Sequence, residues 1–103
     1  MKGTLTILRP SGEITQQDYA SEVPLKDLND AVGGYLETIP YFNTFDGKFC
    51  IAFCNEHSKI NRLPANEPAT HLWYRQTNRM IPGDYLAGSI AILTGDGEFM
   101  SNL

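Results

Sequence analysis

The sequence predicts an α+β domain, a small and mainly antiparallel sheet of four to six strands with two helices packed on it. Three observations lead there. Two segments repeat apolar residues at helical spacing, Leu25, Leu28 and Val32 in the first and Ala69, Leu72 and Trp73 in the second. Several short runs carry strand patterns bounded by Gly, Pro and Asn. Between two of those runs stands Asp46-Gly47, a strong hairpin-turn signal. The 103 residues, of which 42% are hydrophobic, suffice for one core, so residues 1–103 read as a single domain.

Taken in order, residues 4–8 alternate and are rich in β-formers, which predicts a first strand. Pro10, Ser11 and Gly12 turn the chain, and residues 13–20 are either a return strand carrying Ile14 or a loop. Residues 21–32 predict the first helix. Pro24 lies in its opening turn, Leu25, Leu28, Ala31 and Val32 on its inner face, and Lys26, Asn29 and Asp30 on its wet side. Gly33-Gly34 ends it, since glycine takes the left-handed C′ conformation without steric cost. Residues 35–42 predict a strand whose far end Pro40 makes an edge or an exit. Residues 49–54 are apolar on both faces and predict a central strand covered by a helix.

A polar stretch, residues 55–66, then leads to a second helix reaching about Gln76. Asn66 is its N-cap, with Glu67 and Pro68 in the first turn. Residues 77–84 predict a loop with Pro82-Gly83. Residues 86–94 predict a last strand whose small Gly88, Ser89 and Ala91 admit a helix closely. Gly95-Asp96-Gly97 turns the chain, and the tail is expected to fray or add a short strand.

The net charge of −4 argues against a broad DNA- or RNA-duplex surface, which needs clustered Lys and Arg; Arg9, Arg62, Arg75 and Arg79 still allow one local anion pocket. No apolar run approaches the roughly 20 residues of a membrane span. Pro10 interrupts the N-terminal segment too early for a secretory leader, so the expected compartment is the cytoplasm. Cys50 and Cys54 on one strand would lie about 13 Å apart, too far for a disulfide or a shared zinc ion. They read as buried apolar groups in a reducing compartment, against a metal or redox role.

No catalytic set stands out. His57 and His71 are the only histidines, no Gly-x-Ser-x-Gly elbow exists, and Arg75 stands where His71 would need a second metal-binding histidine. No catalytic residue, metal ligand or cofactor is therefore expected. Glu37, inside a strand and flanked by Tyr35 and Ile39, is expected to be partly buried and to need a partner, Lys59 or Arg62 being the nearest cations. Glu37 and Glu56 either face one another for acid–base work or are an edge charge beside a solvated loop residue. The segment 55–66 joins a core strand to a capped helix whose N-terminus carries free N–H donors. It reads either as an anion or nucleotide site built on Asn55, Glu56, Lys59, Arg62 and Asn66, or as a loop whose asparagines satisfy its own backbone. Tyr41, Phe42 and Phe45 cluster at the hairpin, as a subunit interface or a stacking platform for a base.

Three segments together resemble a known family. Val32-Gly33-Gly34-Tyr35-Leu36-Glu37 is similar to its V-G-G-Y-I-E segment. Asn55-Glu56, Lys59, Leu63-Pro64, Asn66 and Ala69-Thr70 resemble its N-E-x-x-K…L-P-x-N-x-x-A-T segment, and residues 86–92 resemble its terminal I-x-G-x-hydrophobic strand. The family is domain of unknown function 3846, found among small phage and mobile-element proteins. The likeness spans about residues 21–93; His57-Ser58 departs from the family's acidic or glycine turn, which puts that loop's binding in question. The resemblance implies a setting: a non-enzymatic phage protein acting in the host bacterial cytoplasm against host defence. The leading expectation is a homo-oligomeric sponge for a cyclic nucleotide or ADP-ribose-type signal, its ligand held by Glu37, Tyr41, Phe45, Asn55, Glu56, Lys59, Arg62 and Asn66. The alternatives are a protein–protein inhibitor of a defence effector or nuclease, and a small enzyme degrading such a signal.

Overall fold

The computed structural model describes residues 2–77 and 83–101. Arg79 and Pro82, which the sequence singled out, lie outside them. The chain runs β1 (Gly3–Leu8), β2 (Ile14–Tyr19), α1 (Leu25–Val32), β3 (Leu36–Thr38), β4 (Thr44–Phe45), β5 (Lys48–Phe49), β6 (Ile51–Asn55), α2 (Glu67–Gln76), β7 (Ile90–Gly95) and α3 (Gly97–Ser101). Five strands form one sheet in the order β2-β1-β7-β6-β3, and β4-β5 is a separate two-stranded hairpin. Every pairing is antiparallel. This is the α+β architecture that the pattern of elements implies.

Two apolar clusters lie on the two sides of the sheet. On one side Leu8, Ala52, Ile90 and Ile92 meet Ala69 and Trp73 of α2, together with Ile39, Phe42, Cys50 and Leu86. On the other, Leu5, Ala91 and Leu93 meet Leu28 and Val32 of α1 and Phe99 of α3. The strand β7 feeds both, with Ile90 and Ile92 to one side and Ala91 and Leu93 to the other, as the two-residue period of a strand requires. It is therefore the middle strand. The β6 run, which reads as central from its composition, lies one place nearer the β3 edge.

Other expectations are corrected in the same terms. Helix α1 starts at Leu25, not at residue 21, and Leu25 is largely exposed; Val23, two residues earlier and before the helix, takes the buried place instead. Gly33 does end the helix in the left-handed conformation, φ 77°, with its N–H donating to the Asn29 carbonyl. The run 35–42 pairs only over Leu36–Thr38. Beyond it the chain turns at Tyr41, φ 64°, and drops Phe42 into the core. The tail is a helix. Asp96 Oδ1 accepts the Phe99 N–H at 2.8 Å and caps α3, and the Phe99 ring lies over Gly3 so closely that a Cβ there would meet it at 2.2 Å.

Candidate functional site

Of the expected site residues, Asn66 joins segments farthest apart in sequence, and it does so for structural reasons. It is fully buried. Its Nδ2 donates to the Leu8 and Gly88 carbonyls at 2.9 Å each, and its Oδ1 accepts the Ala69 N–H at 3.1 Å. Its own N–H donates to the Leu86 carbonyl at 2.8 Å. The side chain thus caps α2 and ties the end of β1 to the segment before β7. Asn55, also buried, donates from Nδ2 to the Val32 carbonyl at 3.2 Å and accepts the His57 N–H at 2.8 Å. Both carboxamides are spent on backbone, as buried polar groups require. The start of α2, which the sequence offers to an anion, is capped by Asn66 itself, with Glu67 in the first turn.

Between these two anchors the crossover forms one wall of a groove of about 240 Å³. Glu37 of β3, Cys54 of β6, Glu56 and Lys59 of the crossover, Trp73 of α2 and the pair Asp84-Tyr85 line it. The structure therefore brings Glu37, Glu56 and Lys59 together, three of the eight expected residues. Tyr41 and Arg62 are exposed elsewhere, and Phe45 packs against the core under the β4–β5 hairpin. The aromatic platform expected of Tyr41, Phe42 and Phe45 is divided among these fates.

Glu37 is exposed on the edge strand, so the partial burial expected of it does not occur, and its carboxylate has no hydrogen bond or ion pair among the described residues. The cation expected to pair with it is engaged elsewhere. Lys59 Nζ lies 2.5 Å from Asp84 Oδ1 and 4.8 Å from the centroid of the Tyr85 ring. The Lys59 contact holds the Asp84 carboxyl below the usual carboxylate range, helped by the Tyr85 N–H. The Tyr74 hydroxyl donates to the Asp84 carbonyl and fixes this segment to α2. Burial, reinforced by the Glu37 carboxylate, pushes the Cys54 thiol up to about 11, so it is protonated and a poor nucleophile at neutral pH. Cys50 is raised likewise by burial, and both cysteines are free.

Sequence reasoning missed Asp84 and Tyr85. Their pairing with Lys59 spans 25 residues, and no local pattern carries it. Trp73 was read as core; it is core and also wall, its Nε1 donating to the Pro40 carbonyl at 2.7 Å.

Comparison with known proteins comes to one result. The family model described as Domain of unknown function (DUF3846) matches residues 2–102. The chain belongs to the DUF3846 family. The match extends the segments that carried the resemblance to nearly the whole chain. No curated protein and no solved structure matches it. Among the described residues no group of three or more His, Cys, Asp or Glu side chains is placed to hold a metal ion, and no helix is long and apolar enough to cross a membrane.

Proposed function

We propose that this DUF3846 chain is a non-enzymatic binding protein whose groove takes a basic segment of another protein. The observation that carries the reading is the charge of the groove set against its size. Three carboxylates, Glu37, Glu56 and Asp84, face one ammonium, Lys59, which Asp84 already holds. The volume of about 240 Å³ falls below the range of roughly 300–1,000 Å³ usual for small-molecule pockets. It fits one long side chain, and the acids favour an arginine or lysine. The aliphatic stem of such a residue has Trp73, Pro40 and Leu86 to lie against.

A nucleotide-derived signal suits this groove less well. Its phosphates would face the carboxylates, and a dinucleotide exceeds the space unless a second copy of the chain completes it. A partner that itself handles nucleic acid meets the requirement directly, because such proteins present Lys and Arg to phosphate. A defence nuclease or effector of the host is a partner of that chemistry, and a phage or mobile-element origin belongs to the same proposal.

Trp73, the sole tryptophan, lines the groove and reports on it. Titration with a tetra-arginine peptide is expected to shift its emission, with a weaker response in Glu37→Gln and Glu56→Gln and an unchanged one in Asp30→Asn, a carboxylate on α1 outside the groove. A response equal in all four proteins, or one to ADP-ribose and not to the peptide, would reverse the assignment.

A further inference from the structure

The five-stranded sheet ends in two unlike edges. At one, β3 is three residues long, carries Glu37 and runs into Pro40 and the turn at Tyr41, so it offers little backbone to another strand. Shortness, charge and proline are the usual protections of an edge. At the other, β2 is six residues long and pairs with β1 in an unbroken register from Gly3↔Tyr19 to Leu8↔Ile14. Its sequence, Ile-Thr-Gln-Gln-Asp-Tyr, holds no proline, glycine or lysine. Every residue from Ile14 to Asp18 is exposed.

The parity of the pairing says which backbone groups of β2 stay free. In an antiparallel ladder successive residues direct their N–H and C=O alternately to one neighbour and to the other. The Arg9 N–H donates to the Glu13 carbonyl at 2.9 Å where the β1–β2 hairpin closes. On the other flank of β1 the Lys2 carbonyl accepts the Asp96 N–H at 3.0 Å. Odd-numbered residues of β1 therefore bond to β2 and even-numbered ones to β7. By the register, Thr15, Gln17 and Tyr19 turn their main-chain groups to β1, and Ile14, Gln16 and Asp18 turn theirs outward. Among the described residues no other strand, turn or side chain takes up these outward groups.

We infer that β2 is the contact through which two copies of this chain form an antiparallel, two-fold dimer, their sheets joined edge to edge. A two-fold axis normal to the sheet keeps each face continuous only when residues of equal parity stand opposite one another. The outward triplet is self-complementary about its middle residue. Gln16 meets Gln16 of the second copy and Ile14 meets Asp18 of the second copy, each pair exchanging two main-chain hydrogen bonds. Charge selects this register. It sets the two Asp18 carboxylates four residues apart along the strands, about 14 Å, beyond the Debye length of about 8 Å at physiological salt. A shift that centres on Asp18 would set them face to face. The acidic groove is built on β3 and β6 at the opposite edge, so the dimer and the groove stand or fall separately.

The test is sedimentation equilibrium of the whole chain over a range of concentrations, with far-UV circular dichroism as the check on folding. A single strand pair lies at the small end of specific interfaces, roughly 1,200 Å² or less, so a reversible, concentration-dependent dimer is expected. Gln16→Pro removes an outward N–H that β1 does not use, and is expected to leave a folded monomer. Ile14→Asp faces Asp18 twice per dimer and is expected to raise the dissociation constant about tenfold, whereas Ile14→Lys does not raise it. Oxidation reads the register directly. Gln16→Cys places two thiols on a pair with Cα atoms about 5.5 Å apart and is expected to cross-link, while Ile14→Cys places them about 14 Å apart and is not. Glu37→Gln changes none of these results. The inference is overturned if the chain stays monomeric, which would leave the edge to a strand of another protein, if Gln16→Pro dimerises as the parent does, or if Ile14→Cys cross-links as readily as Gln16→Cys.

Discussion

Replacing Asn66 with Asp separates two roles that the side chain combines. As a helix N-cap the two residues are nearly equal, so a side chain that only capped α2 would lose almost nothing. The structure gives Asn66 a second role that a carboxylate cannot fill. Its Nδ2 supplies both hydrogens to the Leu8 and Gly88 carbonyls, each at 2.9 Å, in a fully buried position. In Asn66→Asp an oxygen would face those two carbonyl oxygens. Each carbonyl left without a donor costs about 1–3 kcal/mol, and the buried carboxylate adds a desolvation term. The expected loss at neutral pH is about 3–5 kcal/mol, a large part of the roughly 5–15 kcal/mol available to a domain of this size. Urea unfolding followed by Trp73 fluorescence and far-UV circular dichroism measures it. With a slope of about 2 kcal/mol/M the midpoint falls by about 2 M while the slope stays unchanged. The sign of the pH effect adds a check. Burial raises the introduced carboxyl's folded pKa above its unfolded value, so the penalty shrinks as pH falls and the protonated oxygen can donate to one carbonyl. A midpoint within about 0.3 M of the parent would refute the clamp and leave only the cap.

Two further outcomes follow from the same packing. Gly3→Ala places a methyl where the Phe99 ring stands, 2.2 Å from the built Cβ, so α3 must lift and the loss should approach that of removing the ring, about 3–5 kcal/mol; calorimetry of Gly3→Ala beside Phe99→Ala tests whether the two coincide. Alkali should destabilise the protein. The folded thiols of Cys50 and Cys54 are raised from 9.0 to about 11, chiefly by burial, so their contribution is intact below pH 9.0 and lost as pH rises towards 11. Tyr19, raised from 10.0 to about 12 by burial and by its bond to Asp27, acts in the same direction at still higher pH. Urea midpoints from neutral pH upward should decline across that window, and a flat profile would contradict the burial that causes the shifts.

What the sequence made legible was local. Gly33 ends α1 because it is in the left-handed region, Asp46-Gly47 turns a hairpin, and Asn66 caps α2; each is a short-range backbone requirement that residue type declares. The capping residue of α3 was equally local and was overlooked. Asp96 precedes Gly97-Glu98-Phe99 as an N-cap should, although a glycine-flanked aspartate reads first as a turn. What stayed hidden was long-range. Composition could not say that β7 is the middle strand, because a strand apolar on both faces looks the same in the second place as in the third. Leu25 follows the helical period with Leu28 and Val32, yet it points outward because the inner place over that turn is taken by Val23, before the helix begins. Of the groove, Glu37, Glu56 and Lys59 were named for their charge in a polar stretch; Asp84, which decides what Lys59 can still bind, was not.

The two buried asparagines explain why so polar a crossover can keep a defined shape. A loop of this kind has few apolar contacts of its own, and hydrogen bonds made only to water would leave it to fluctuate. Here Asn55 fastens its first residues to the end of α1, and Asn66 fastens its last to β1 and to the segment before β7. Ser58 and Leu63 close it internally through the Leu63 N–H and the Ser58 carbonyl at 2.9 Å, and Arg62 enters the left-handed region, φ 56°, to allow that closure. Glu56 and Lys59 then project from a fixed backbone between two anchors. The residues that keep the groove in shape are therefore different from those that give it charge, and the two sets should separate in mutagenesis. Changes at Asn55 and Asn66 should be read first in stability and changes at Glu37 and Glu56 in binding alone. A groove variant that bound less because it had partly unfolded would show both effects at once, and that result would break the division on which the binding assignment depends.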